Sequence, residues 1–166
     1  SGLAHKIEKY YLALSKTKPT KKQGAVIGDM KKGRRGSYLL LREKANPACT
    51  HFFCKSLDLE GQRRWLFVLK PETGKTHQLR VALKSLASPI LGDLRYEKKE
   101  GESRIDRGYL HAYKIRFELF GKRYDISDTN YSGEFSHLEG ENLPLAIESS
   151  LAPEKLNWPK RAFLLN

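Results

Sequence analysis

Trp65-Leu66-Phe67-Val68-Leu69 is an unbroken apolar run closed by Arg64 and Lys70, and a turn and a helix follow it within a few residues. Large apolar side chains in such a run read as a strong strand. Pro71–Gly74 supplies the turn. Beyond it, Leu79, Ala82, Leu83 and Leu86 recur at the spacing of one helix face. Thr76 is the predicted N-cap, and Ser88-Pro89 is the predicted stop. His77, Arg80 and Lys84 fall on a neighbouring face, so the predicted helix is amphipathic with a cationic stripe. No other stretch commits so many adjacent residues to regular structure.

The remaining pattern is dominated by strands. A short helical or irregular entry from Lys6 leads into a strand at Tyr10–Leu14. Short strands are expected at Ala25–Asp29 and Tyr38–Arg42, and a further one at Cys49–Cys54, where Thr50 and Phe52 share a face. Tyr109–Phe120 reads as one long strand or a pair, and Gly121-Lys122-Arg123 as a hairpin turn into Tyr124–Ile126. From Thr129 the chain is a loose mixture containing Pro144, Pro153 and Pro159. At 166 residues, with no internal repeat, this is one domain large enough to bury a core, spanning residues 1–166.

Charge narrows the partner. The formal net charge is +12 and the sequence pI about 9.7. Between Lys16 and Arg35 eight cations face a single acid, Asp29, and the glycines among them argue for loop and short strand over basic helix. Lys21, Lys22, Lys31, Lys32, Arg34 and Arg35 are therefore candidate nucleic-acid contacts, since flexible cations gain affinity by releasing counterions from phosphates. After Ser127 the balance turns acidic. No apolar run approaches the ~20 residues of a membrane span, so no membrane partner is expected. Two cysteines without a secretory signal point to a reducing cytoplasm.

Several familiar motifs fail. Gly74-Lys75-Thr76 resembles the end of a phosphate loop, but the required upstream glycine position holds Leu69. Cys49, His51 and Cys54 lie on one strand and cannot close a tetrahedral metal site, so two buried cysteines are the expected reading and no metal is implied. His5, His51, His77, His111 and His137 show no paired-ligand spacing, and no serine nucleophile elbow is present.

The informative segment is Pro71–Val81 itself. Its first helical turn presents Lys75, His77, Gln78 and Arg80, and helix N-terminal amides beside those cations would suit a phosphate or carboxylate. The order Thr73-Gly74-Lys75-Thr76-His77-Gln78-Leu79-Arg80-Val81, then Ser88-Pro89-Ile90-Leu91-Gly92-Asp93, then Tyr96, closely resembles the third motif of the ribosomal-large-subunit (Rlu) pseudouridine synthases. Lys9-Tyr10-Tyr11-Leu12-Ala13 resembles that family's K-x-Y-x-A motif, Thr50-His51-Phe52 its T-x-[FY] strand, and Leu110-His111-Ala112 its late L-H-A strand. These pieces occur in the family's order and cover roughly residues 7–120.

The resemblance implies an α+β fold, a mixed and largely antiparallel sheet with flanking helices. It implies an enzyme that isomerises uridine in rRNA or tRNA to pseudouridine without metal or cofactor. An aspartate attacks, the glycosidic bond breaks, the base turns, and C5 is joined to the sugar. Tyr11 matches the tyrosine that packs on the target base, and Arg80 the basic residue that pairs with the nucleophilic aspartate. Both roles suit the chemistry: tyrosine offers a π face and a polar tip, and arginine lowers and directs a carboxylate. Lys75, His77 and Gln78 are expected to shape the site or touch RNA. His111 reads as a hydrogen-bonded strand histidine, and Asp93 as a turn residue.

The family's nucleophile sits in an R-L-D-x-x-[ST]-G motif upstream of K-x-Y-x-A, and none of the aspartates here has that context. The expectation is a C-terminal portion of the catalytic domain, inactive alone, with the missing N-terminal part of that domain or a partner chain supplying the rest. Exposed apolar surface and a free sheet edge would follow. The alternative is a non-catalytic RNA-binding module on the same scaffold.

Overall fold

The computed structural model describes residues 7–97, 108–129, 133–138 and 152–159. His5, the Ser1-Gly2-Leu3 opening and most of the tail beyond Thr129, including Pro144, lie outside them. In chain order the strands and helix are β1 (Glu8–Ser15), β2 (Gln23–Gly28), β3 (Met30–Lys32), β4 (Tyr38–Leu40), β5 (Ala48–Leu59), β6 (Gln62–Pro71), α1 (Gln78–Ser85), β7 (Leu110–Leu119) and β8 (Lys122–Ser127). Six strands form one sheet in the order β2-β5-β6-β1-β7-β8, and β3 and β4 form a separate two-stranded ribbon. Every described pairing is antiparallel.

The apolar run becomes β6, near the middle of the sheet, where Trp65 to Leu69 are all buried. Both of its faces are covered, which is why it does not alternate. On the front, Ala13, Phe52, Phe67 and Leu69 pack under Leu79, Ala82 and Leu83 of α1 and under Leu86, which follows it. On the back, Leu12, Leu14, Leu66 and Val68 meet Leu91, Tyr109 and Phe135, with Trp158 of the late segment against them. A fully buried leucine such as Leu83 contributes roughly 2 kcal/mol by burial.

Three sequence expectations change. Cys49–Cys54 extends to a twelve-residue strand, because the Glu60-Gly61 turn, both at positive φ, folds it directly back onto β6. Cys54 is only half-buried, while Cys49 is fully buried. The flanking helices reduce, among the described residues, to α1 and short 3-10 turns at Arg34–Gly36, Gly133–Leu138 and Pro153–Lys155.

Candidate active site

The site begins where β6 ends. Gln78 is buried, and its amide binds in four directions. Its Nε2 donates to the Cys49 carbonyl and to Thr50 Oγ1, both at 2.9 Å. Its Oε1 accepts from Thr73 Oγ1 at 2.7 Å and from the Lys75 backbone N–H at 3.0 Å. Thr73 Oγ1 in turn accepts the Cys49 N–H at 2.9 Å. A buried amide costs heavily unless satisfied, so this network fixes the turn on the start of β5.

That lock corrects two expectations. Thr76 is exposed and does not cap α1; the capping position is His77, in the left-handed region at φ 57°, with no side-chain cap. The Lys75 amide, two residues ahead of the capping position, is held by Gln78 Oε1. Gln78 is therefore turned inward, with both amide protons and the amide oxygen engaged by protein.

Arg80 carries the charge of the site. Its Nε and Nη2 donate to Asp93 Oδ2 and Oδ1, both at 2.9 Å. Asp93 is more than a turn residue: its side chain is 4% exposed against 31% for Arg80, so the pair is sealed on the carboxylate side and open on the guanidinium side. The Asp93 hydrogen bond is the main reason that Arg80 holds its proton above the ordinary arginine range. The loop carrying Asp93 is pinned by the sheet. Leu91 N–H donates to the Leu14 carbonyl at 2.8 Å, Tyr109 N–H to the Leu91 carbonyl at 2.9 Å, and Ser88 Oγ to the Thr17 carbonyl at 2.6 Å. The resemblance assigns Arg80 to an upstream aspartate; among the described residues its partner is Asp93. Two of five guanidinium N–H groups are used there, which leaves donors for a second anion.

Arg80 and Asp93 line a cleft of about 320 Å³ with Ile90, Gly92, Gly108 and Leu110. Tyr11, half-buried, lines a second cleft of about 250 Å³ with Lys9, Ala112, Ile115, Ile126 and Asp128. Tyr11 pairs with Ala112 and Ala13 with Leu110, so both clefts open on the α1 side of the sheet and adjoin along β7. The apolar surface there is uncovered: Ile126 is 55% exposed and Ile7 47%. Tyr10 points to the back, where its hydroxyl donates to Glu8 at 2.7 Å and its ring meets Trp158.

The predicted cations divide. Lys21, Lys22, Lys31, Lys32, Arg34 and Arg35 are all exposed, and Lys75 is half-buried. Lys31 and Lys32 lie on the ribbon, Arg34 and Arg35 at its tip, and Lys22 sits 5.6 Å from the Trp65 ring centre. The ribbon is fastened beside the site: Tyr38 N–H donates to the Tyr96 hydroxyl at 2.8 Å, and Arg95 donates to the Arg35 carbonyl. Tyr96 belongs to the motif by sequence, but no spacing rule ties it to Tyr38, 58 positions away.

His111 contacts the Asp128 carbonyl at 2.6 Å, as expected of a strand histidine. Cys49 Sγ and Glu72 both approach His51 Nε2, at 3.8 and 3.6 Å. Burial pushes the Cys54 thiol up to about 12, which leaves it unreactive. Among the described residues no group of His, Cys, Asp or Glu is arranged to hold a metal ion, and no helix is long and apolar enough to cross a membrane.

The sequence profile of the RNA pseudouridylate synthase family matches residues 3–85, half of the chain. An RNA pseudouridine synthase of Haemophilus influenzae, itself uncharacterised, is 53% identical over 131 residues, covering 79% of this chain and 56% of that protein. The ribosomal large subunit pseudouridine synthase D of Borreliella burgdorferi is 32% identical, covering 72% of this chain and 39% of that protein. Human RNA pseudouridylate synthase domain containing 1 superposes with a TM-score of 0.64 at 24% identity, over 75% of this chain and 55% of that one. The chain spans about half the length of the relatives it matches. Shared sequence across β1, β5, β6 and α1, and a shared fold around them, make this chain a member of the RNA pseudouridylate synthase family.

Proposed function

We propose that this chain is the Arg80–Tyr11 part of an enzyme that converts uridine in structured cytoplasmic RNA to pseudouridine. Ribosomal RNA is the first candidate, because relatives bear that substrate in their names; transfer RNA is the second. The observation that carries the reading is the juxtaposition on one sheet face: a guanidinium with donors to spare in one cleft, and a tyrosine ring in the next. A flipped uracil needs a flat aromatic surface and a fixed cation near its nucleophile, and the exposed ribbon offers phosphates a cationic rim.

In this reading Tyr11 packs on the base and Arg80 holds the attacking carboxylate ionised, which lowers its pKa and aims it. That carboxylate comes from a segment upstream of β1, since no R-L-D-x-x-[ST]-G string is present among these 166 residues. Asp93 then serves as the fixed counter-charge that orients Arg80, and no metal or cofactor takes part.

Tritium release from RNA labelled at uridine C5 tests this. The 166-residue polypeptide is expected to release none, and a longer natural protein containing the aspartate motif to release it in step with pseudouridine formation. Turnover by the 166 residues alone overturns the need for an upstream nucleophile. RNA binding without turnover in the longer protein favours the alternative, a binding module on this scaffold.

A further inference from the structure

Tyr96 is nearly buried beside the ribbon and α1, yet its hydroxyl is shared by two elements. Tyr38 N–H lies 2.8 Å from it and can only donate, so it occupies one lone pair. The hydroxyl's own proton needs an acceptor, and among the described residues the one within reach is His77 Nδ1, at 2.9 Å. His77 Nδ1 then carries no proton, and the ring proton resides on Nε2. The reverse arrangement, Nδ1–H donating to the hydroxyl, would strand the hydroxyl proton in a nearly dry place. Burial and the cations Arg80 and Arg95 oppose a second proton on the ring, with only Asp93 acting the other way.

We propose that Tyr96 is a positioning residue that sets His77 as a neutral Nε2–H donor to an acceptor oxygen of the RNA and fastens the basic ribbon to the Arg80 end of α1. The proposal deepens the functional reading above and rests on it for the identity of the ligand. Its geometry is over-determined. His77 sits in the left-handed region, where its backbone cannot drift without unravelling the start of the helix. Its ring makes edge contacts with Tyr38 at 5.3 Å and with Tyr96 at 5.8 Å between centroids. The Arg80 guanidinium lies 5.1 Å over the Tyr96 ring, so the same side chain braces the cation of the site. His77 Nε2 has no partner among the described residues, and the residue is half-exposed. A neutral donor of fixed direction among flexible cations adds selection by geometry, which charge alone does not provide.

The test uses Tyr96→Phe, which keeps the ring, the packing and the Arg80 contact, and His77→Gln, whose side-chain amide can present an N–H near the position of Nε2. Proton–nitrogen NMR of the histidine rings reads the tautomer without RNA. We expect His77 with an unprotonated Nδ1 in the wild-type protein at neutral pH, and a tautomer mixture in Tyr96→Phe. Affinity for a uridine-containing RNA stem-loop, measured on the intact protein, should fall about fivefold in Tyr96→Phe and in His77→Ala, as for one lost hydrogen bond. It should recover in His77→Gln, and the double variant Tyr96→Phe/His77→Ala should lose no more than either single one. A proton on wild-type Nδ1 overturns the positioning role. Wild-type affinity in Tyr96→Phe or His77→Ala overturns the donor role. Absence of RNA binding by the wild-type protein overturns the functional reading and the donor role together, while the tautomer still decides the positioning role by itself.

Discussion

Between Thr73 and Arg80 the Thr73 hydroxyl, the Gln78 amide and the Asp93-facing edge of the Arg80 guanidinium are committed to protein, whereas from Lys21 to Arg35 the cations are exposed. Both stretches look alike in composition: basic, glycine-containing, poor in acids. The difference is desolvation. Gln78 and Asp93 are buried, so each must be fully partnered or the fold loses stability. The ribbon's cations keep their water, contribute little to folding, and keep their charge for a polyanion. Substitutions in the first region should therefore act on stability, and those in the second on binding.

The largest effect should come from Arg80→Met, which strands a buried Asp93 carboxylate. We expect a loss of about 3 kcal/mol in urea unfolding. A loss below about 1 kcal/mol would mean that the pair is as loosely held as a surface cation, and the contrast would collapse. Gln78→Leu comes next. It preserves volume but abandons the Thr50 hydroxyl, the Cys49 carbonyl and the Lys75 amide, and should cost about 2 kcal/mol in the same assay.

Replacing Lys31, Lys32, Arg34 and Arg35 together by glutamine should leave stability within about 0.5 kcal/mol. The same change should flatten the dependence of log affinity for single-stranded RNA on log salt by up to about 3. A destabilisation as large as that of Gln78→Leu would show that the ribbon belongs to the packed region after all. The smallest effect is in pH. The folded state holds His77 below its ordinary 6.5, mainly by burial and then by Arg80 and Arg95. The unfolded chain therefore takes up the proton first, and the stabilisation present above 6.5 is lost as pH falls through and below that value. His77→Gln should remove this share of the slope; an unchanged slope would place the ring in open solvent, like the ribbon.

Local pattern revealed much of this. β6, the apolar face of α1, the β7–β8 hairpin and the cationic stretch are each encoded within a few residues, although α1 stops at Ser85, ahead of the Ser88-Pro89 signal. The family's motifs named Tyr11 and Arg80. What escaped was partnership at a distance. Thr76 looked like an N-cap because capping rules see only the helix, not Gln78 reaching back to β5. Asp93 looked like a turn residue because its partner lies thirteen positions away, across a loop whose path is set by Leu14 and Tyr109.

Sequence alone determined the succession of strands and helix apart from the short β3, the excess of positive charge and the residue types available to the site, since these follow from spacing and composition. Only the tertiary structure decided which polar groups are spent on protein and which stay open to solvent. That division depends on burial, which is a property of the whole packed sheet and of no single segment of it.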